Sequence, residues 1–175
     1  MFDTAVAMFC GPHDEGDQPP TRRIDAGIYH ALRLNAPLFI AGDAFEGAEV
    51  RRFYARARAT GVITTIQAYD SRHCTLADAQ AVGREILSRR LDRLERIHLV
   101  TDWWHMDRAM TMLEGELKKG TGRTIQVVPE SVMNGPEPSQ LVHRNERQGL
   151  ADYRAGVYGA RRILDPLRHR AALEL

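Results

Sequence analysis

Short apolar runs alternate along this chain with longer segments in which apolar positions recur at helical spacing. The short runs are typical of buried strands, and the longer amphipathic segments are typical of helices that cover a sheet. The predicted strands cover residues 5–9, 38–41, 63–67, 97–100 and 125–128. The predicted helices cover residues 23–34, 48–59, 76–94, 103–117 and 140–164. This alternation predicts an α/β protein with a mostly parallel five-stranded sheet, in the strand order 3-2-1-4-5.

The pattern changes near residue 130, because the segment NGPEP at residues 134–138 excludes regular structure and predicts a loop. We therefore predict a domain over residues 1–130, and an extension over residues 131–175 that comprises a loop and a C-terminal helical region packed on the same domain. Pro166 interrupts that helical region. The tail after it could dock on the domain, fray, or pair with a second copy as a homodimer.

Composition excludes some classes of protein but does not identify a function. The formal net charge of +1 gives no reason to expect a nucleic-acid partner. Cys10 and Cys74 are too few for a disulfide framework and lack the spacing of a zinc site, so we expect reduced thiols. The N-terminal apolar run is too short for a membrane span and lacks the basic residues that precede a secretory signal. We therefore expect a cytoplasmic protein with no membrane partner.

The candidate site follows from the predicted strand order. Ligands of open parallel sheets bind beyond the carboxyl ends of the strands where the order reverses, here between the first and fourth strands. Residues 10–17, which include Gly11, follow the first strand as a loop of glycine, proline and acidic residues. A functional loop and a plain surface connection are equally open readings of it. Its His13, Asp14 and Asp17 lack a metal-binding spacing, so we predict no metal site.

The segment after the fourth strand, residues 101–108, carries more chemistry. Asp102 is placed to cap a helix predicted to begin at Trp103, and the start of a helix favours an anionic ligand. His105 and Arg108 are three residues apart, so they share one helical face. An imidazole exchanges protons near neutral pH, and a guanidinium holds a carboxylate or phosphate with two parallel bonds. The alternative is structural: Asp102 only caps, His105 packs, and Arg108 pairs with a nearby carboxylate.

Two tandem tryptophans, Trp103 and Trp104, cannot both enter the core at a helix start. We assign Trp104 to the crevice, where its ring could stack on a ligand, and a contact at the rim or with another subunit is the alternative. Farther along this helix, apolar residues at helical spacing predict a stripe that faces the core. These residues are Met106, Met110, Leu113 and Leu117.

The motif in residues 99–109, LVTDWWHMDRA, resembles the V-T-S/D-x-x-H-M-x-R-A segment of the SanA/YdcF/ElyC family, a bacterial domain long labelled as of unknown function. Other pieces follow in the family's order. Arg23 with Ala26 resembles the start of its first helix, and AGD at residues 41–43 stands where the family has S-G-G. SRHCTLADA at residues 71–79 resembles S-x-N-T-x-E-N-A. The resemblance covers roughly residues 4–129.

This resemblance implies a Rossmann-like three-layer sandwich and, in at least one branch of the family, binding of S-adenosylmethionine. Some members are linked to maintenance of the cell envelope. By position, the resemblance adds five residues to the ligand-binding set: Arg23, Gly42, Asp43, Thr75 and Asp78. The chain departs from the family pattern at Asp43, Cys74, Ala77 and Asp78, so the family's ligand need not carry over unchanged.

Three functions remain open, and they differ in whether the protein is an enzyme. The first is binding of a nucleotide-like or anionic small molecule, with S-adenosylmethionine as the leading candidate, in a transferase. Asp43 or Asp78 would take a ribose hydroxyl or the cationic end of that ligand, whereas the absence of G-x-G-x-x-G argues against an ordinary dinucleotide.

The second function is a hydrolase or transferase acting on a phosphorylated or carboxylated metabolite. Its catalytic residues would be His105, as acid and base, and Asp102. Arg23 and Arg108 would clamp the anion, and Thr101 would hold its oxygens. The third function is a non-enzymatic domain that binds a partner through its arginine-rich C-terminal helix, although a solvated charged face is the default interpretation of such a helix.

Overall fold

The fold is described here from a computed structural model, for residues 2–10, 22–43, 48–70, 74–133 and 137–158. The elements in chain order are β1 (Thr4–Phe9), α1 (Arg22–Leu34), β2 (Leu38–Asp43), α2 (Ala48–Ala59), β3 (Thr65–Asp70), α3 (Thr75–Ser88), β4 (Arg96–Asp102), a 3₁₀ turn (Trp103–His105), α4 (Met106–Thr121), β5 (Gln126–Val132) and α5 (Gln140–Arg154). Strands and helices alternate from β1 to α5, which confirms the predicted α/β class.

The five strands form one parallel sheet in the order β3-β2-β1-β4-β5. β1 lies in the centre, where Val6 stands opposite Leu38 of β2 on one side and His98 of β4 on the other. This confirms the predicted order. The strand order therefore reverses between β1 and β4, and the crevice at their carboxyl ends is the expected place for a ligand.

Helices cover both faces of the sheet, since successive side chains of a strand point to opposite faces. On one face, Val6 and Met8 of β1 join Leu38 and Ile40 of β2 in a core against α1 and α2. The other face packs against α3 and α4, which also contact each other. Burial on both faces explains why the strands are nearly continuous apolar runs. The result is the Rossmann-like three-layer arrangement.

Some element ends differ from the predicted ones. α3 stops at Ser88, six residues before the predicted end, because Arg90 takes a left-handed backbone conformation with φ of 52° that ends the helix. β3 starts two residues late, at Thr65. β4 and β5 run beyond their apolar cores, where Thr101 pairs with Ser131, because backbone hydrogen bonding does not depend on side-chain polarity.

The segment after β4 also begins differently from the prediction. A 3₁₀ turn occupies Trp103–His105, and the α-helix proper starts at Met106. Met110 is only half-buried, whereas Ala109 and Met112 are buried, so the predicted core stripe was wrong at Met110. A small alanine facing the neighbouring layer permits close packing but gives a weak hydrophobic signal in the sequence.

The chain divides into two compact units, Met1–Asn134 and Gly135–Leu175. The division falls just after β5 ends at Val132, close to the predicted boundary at residue 130. The second unit contains α5, whose first turn is capped by Ser139 through a bond from the amide of Val142. Packing of the extension on the first unit stays a prediction. In the part of the chain that the structure describes, no helix has the length and apolarity needed to cross a membrane.

Candidate functional site

The carboxyl ends of β1 and β4 lie side by side, as the site prediction required, because Met8 pairs with Val100 in register. Cys10 follows β1, and Thr101 and Asp102 end β4. Gly11 and the rest of the loop at residues 11–21 lie outside the described residues, so the predicted meeting of Gly11 with β4 stays a prediction.

Asp102 is held by Arg23. The Nε atom of Arg23 donates to Oδ1 of Asp102 at 2.9 Å, and its Nη2 atom donates to Oδ2. Both side chains are buried, at 5% and 4% exposure, and Nη1 of Arg23 also donates to the carbonyl of Phe9 at 3.4 Å. This two-bond geometry ties the start of α1 to the end of β4. The sequence predicted that the guanidinium of Arg23 would bind an anionic ligand. In the structure this guanidinium already binds a carboxylate of the protein.

Asp102 occupies the predicted capping position, but the prediction that its side chain caps the following element was wrong. Asp102 does occupy the N-cap of the 3₁₀ turn, with extended backbone, but its side chain makes no cap hydrogen bond. The physical reason is competition, because both carboxylate oxygens are directed to the cationic Arg23, and a charge-assisted pair is stronger than a bond to an amide. The side chain of Cys74 likewise makes no cap hydrogen bond at the start of α3.

His105 connects two helix starts through its ring. Its Nε2 atom lies 3.2 Å from Oγ1 of Thr75, the first residue of α3, and its Nδ1 atom lies 3.3 Å from Nη2 of Arg108 in the first turn of α4. A guanidinium can only donate, so Nδ1 accepts and the ring proton sits on Nε2. Thr75 then accepts from His105, and its hydroxyl can still donate its own proton. The sequence predicted that His105 and Arg108 share a face, but only the fold brings Thr75 to them.

Trp104 stands beside this chain of contacts, with its ring 5.6 Å from that of His105 and tilted by 54°. Both Trp103 and Trp104 are partly buried, so neither enters the core fully, which agrees with the prediction that the two could not both do so. Thr101 is fully buried, and its Oγ1 atom has no hydrogen-bond partner among the residues that the structure describes. Asp78 is also buried, one turn into α3.

Gly42 is packed closely rather than open to a cleft. A Cβ atom there would come within 2.7 Å of Cγ2 of Val50 and 3.0 Å of Cβ of Cys10. The side chains of Cys10, just after β1, and Val50 of α2 therefore fill the space that a side chain at position 42 would need, which gives a packing reason for glycine there. The neighbouring Asp43 ends β2, but its side chain lies outside the described part of the chain.

A second polar cluster lies on the α1 side of the sheet. Nδ1 of His98 on β4 is 2.7 Å from Oε1 of Glu130 on β5, and Nε2 of His30 on α1 is 3.4 Å from Oε2 of the same carboxylate. Burial lowers the pKa of His30, against the attraction of Glu130, and the nearby Arg33 and His98 lower it further. The sequence analysis missed this cluster, because its members lie far apart in the chain and match no spacing motif.

Among the described residues, two surface pockets are lined by residues that belong to neither cluster. One, of about 440 Å³, lies beside the start of β3 and is lined by Tyr54, Arg58, Val62, Ile63, Thr64 and Thr65. The other, of about 480 Å³, belongs to α5 and is lined by Gln140, Leu141, His143, Arg144 and Arg147. The second includes two of the arginines behind the partner-binding hypothesis, which stays a prediction.

Comparisons with protein-family models, with curated proteins and with solved structures found no match for this chain. The resemblance to the SanA/YdcF/ElyC family therefore rests on the motif segments alone and stays a prediction. Fold alone does not determine function.

Proposed function

We propose that this protein binds a nucleotide-like or anionic small molecule at the carboxyl ends of β1 and β4. The observation that carries the proposal is the contact chain Thr75–His105–Arg108, which joins the first turns of α3 and α4 at one edge of the sheet. A hydroxyl, an imidazole and a guanidinium are thus gathered where ligands of this fold class bind.

The anionic part of the ligand is assigned to Arg108 and the two helix starts. The amides of a helix start carry partial positive charge, and neither Cys74 nor Asp102 caps the element that follows it with its side chain. Arg108 is only partly buried, so its guanidinium can reorient toward a phosphate or carboxylate. We assign Arg23 a supporting role instead, because its fork holds Asp102.

The nucleotide-like part is assigned to Trp104, whose partly exposed ring can stack on a base or a sugar. S-adenosylmethionine stays the leading named candidate, with Asp78 as the acidic group nearest the start of α3. A transferase reaction fits this ligand.

Acid–base chemistry at a phosphorylated or carboxylated metabolite is the second candidate, favoured by the tautomer of His105. Because Nδ1 accepts from Arg108, Nε2 of the neutral ring carries its proton next to Thr75. The ring becomes a general acid when Arg108 turns to the anionic substrate and Nδ1 takes up a second proton. In this version Asp102 acts through Arg23 as a positioning residue and does not touch the substrate.

The test is a thermal-shift panel on the full chain with S-adenosylmethionine, adenosine monophosphate, sugar phosphates and inorganic phosphate. A ligand at a hundred times its dissociation constant should stabilise the protein by about 2.7 kcal/mol. Arg108→Lys keeps the charge but loses the planar fork, so affinity should fall roughly tenfold or more with little change in stability.

The matched control is Arg89→Lys, at the far end of α3, where Arg89 pairs with Glu85. This variant should bind as the wild type does. The proposal fails if no member of the panel stabilises the protein, or if Arg108→Lys and Arg89→Lys bind alike. A large loss of stability in Arg108→Lys with unchanged affinity would make Arg108 a structural residue.

A further inference from the structure

His30, His98 and Glu130 place two imidazoles and one carboxylate together on the face of the sheet covered by α1. One ligand atom from each lies within 4.8 Å of the others. The two rings are stacked, with centroids 6.2 Å apart and planes 23° from parallel, and each faces one oxygen of Glu130. Neither the proposed function nor the Thr75–His105–Arg108 chain uses any of these groups.

The fold brings the three together through strand register and helix direction. Val100 pairs with Glu130, so Glu130 lies on the same face as His98 and one diagonal step along. His30 lies about 10 Å beyond Arg23 along the axis of α1, and His98 lies about 13 Å before Asp102 along β4. Since α1 runs antiparallel to β4, the Arg23–Asp102 pair at one end aligns His30 with His98 at the other.

We propose that His30, His98 and Glu130 bind a divalent first-row transition-metal ion such as Zn²⁺. Imidazole and carboxylate are ligands that such ions accept together, and three protein ligands leave a fourth position for water. Side-chain exposures of 14%, 10% and 23% leave the cluster partly accessible to solvent. In a tetrahedral site the ligand atoms stand about 3.3 Å apart, so small side-chain rotations suffice.

Arg33 disfavours metal binding at this site. Its Nη2 atom donates to Nδ1 of His30 at 3.3 Å, which leaves the ring proton on Nε2, the nitrogen that faces Glu130. Metal binding at Nε2 requires that proton to leave, and Arg33 also adds a positive charge nearby. The side chain is exposed and lies over the ring of Tyr29, so it can move without disturbing the core. Arg33 therefore weakens metal binding.

The experiment measures Zn²⁺ binding to the untagged full chain after chelation, by equilibrium dialysis, with Co²⁺ absorption as the report on ligand type. One ion per chain is expected. His30→Gln, His98→Gln and Glu130→Gln should each weaken binding at least about tenfold, the lower end of the loss that is typical even for outer-shell partners. Arg33→Gln should tighten binding. Circular dichroism checks that each variant is folded.

The control is His143→Gln, which removes an imidazole paired with a carboxylate, Glu137 at 3.3 Å, in the other unit. His13→Gln tests the loop at residues 11–21. Both variants should bind Zn²⁺ as the wild type does. The site is overturned if the wild type binds no ion, if the folded triad variants bind normally, or if binding is lost in either control. Unchanged affinity in Arg33→Gln would overturn the competing role of Arg33. The metal alone is the probe, so this result is independent of the small-molecule panel.

Discussion

Arg23 and Asp102, 79 residues apart in sequence, form a buried two-bond pair that joins α1 to β4. The pair is connected through the chain to both polar clusters. Asp102 is three residues before His105 in the chain, and Arg23 lies in the first turn of α1, the helix that carries His30. One contact therefore influences the placement of both.

We predict that Arg23→Ala lowers the free energy of unfolding by about 3–5 kcal/mol, because it leaves the carboxylate of Asp102 buried and uncompensated. Urea denaturation measures this. The control is Arg56→Ala, which breaks the half-exposed pair with Asp25 and should cost under about 1 kcal/mol. Similar costs for the two variants would mean that the Arg23–Asp102 pair is not structurally important.

Gly42 and Gly83 should respond in opposite ways to alanine. Gly42→Ala forces a Cβ atom against Val50 and Cys10, so it should destabilise the protein by about 1–3 kcal/mol. Gly83, inside α3, has nothing within 4 Å of a Cβ position, and Gly83→Ala should stabilise by about 0.5–1 kcal/mol. Denaturant midpoints compare them, and a neutral Gly42→Ala would contradict the close packing.

Thr101 and Thr75 offer a second matched pair. Thr101→Val replaces a buried hydroxyl that has no partner among the described residues, so without ligand it should stabilise by roughly 1 kcal/mol. Thr75→Val removes the group that accepts from His105 and should destabilise by about 1 kcal/mol. If both variants stabilise equally, the Thr75–His105 bond has no structural value. Loss of ligand affinity in Thr101→Val would place its hydroxyl in the site.

The lowered pKa of His30 predicts a pH dependence of stability for the metal-free protein. The groups around its ring are Glu130, which raises the pKa, and Arg33 and His98, which lower it, with burial as the largest effect. Below the unfolded pKa of about 6.5, the unfolded chain takes up a proton more readily than the folded one, so stability falls as pH falls toward the lower folded pKa.

Melting curves between about pH 7 and pH 5, with a chelator present, test this. His30→Gln cannot titrate at this position, so it should lose less stability than the wild type over that range. His143→Gln, on α5, should behave like the wild type. An equal loss in wild type and His30→Gln would assign the pH dependence to other groups.

The resemblance and the strand order pointed to the edge of the sheet where Thr75, His105 and Arg108 meet. Residues within one segment could be placed from the sequence, because His105 and Arg108 belong to the same helical turn. The contact between His105 and Thr75 could not be placed from the sequence, because it joins the starts of two different helices and no local pattern shows that these starts meet.

The sequence alone determined the α/β class, the parallel sheet and its order, because apolar periodicity is a local signal and crossover rules leave few topologies. It could not determine that the side chain of Asp102 would pair with Arg23 rather than cap a helix, or that His30, His98 and Glu130 would meet. Those outcomes depend on register and on the direction of α1 across β4, which are set only when the layers pack. Local periodicity thus specifies the elements, whereas the partner of each buried polar group is decided by the tertiary fold.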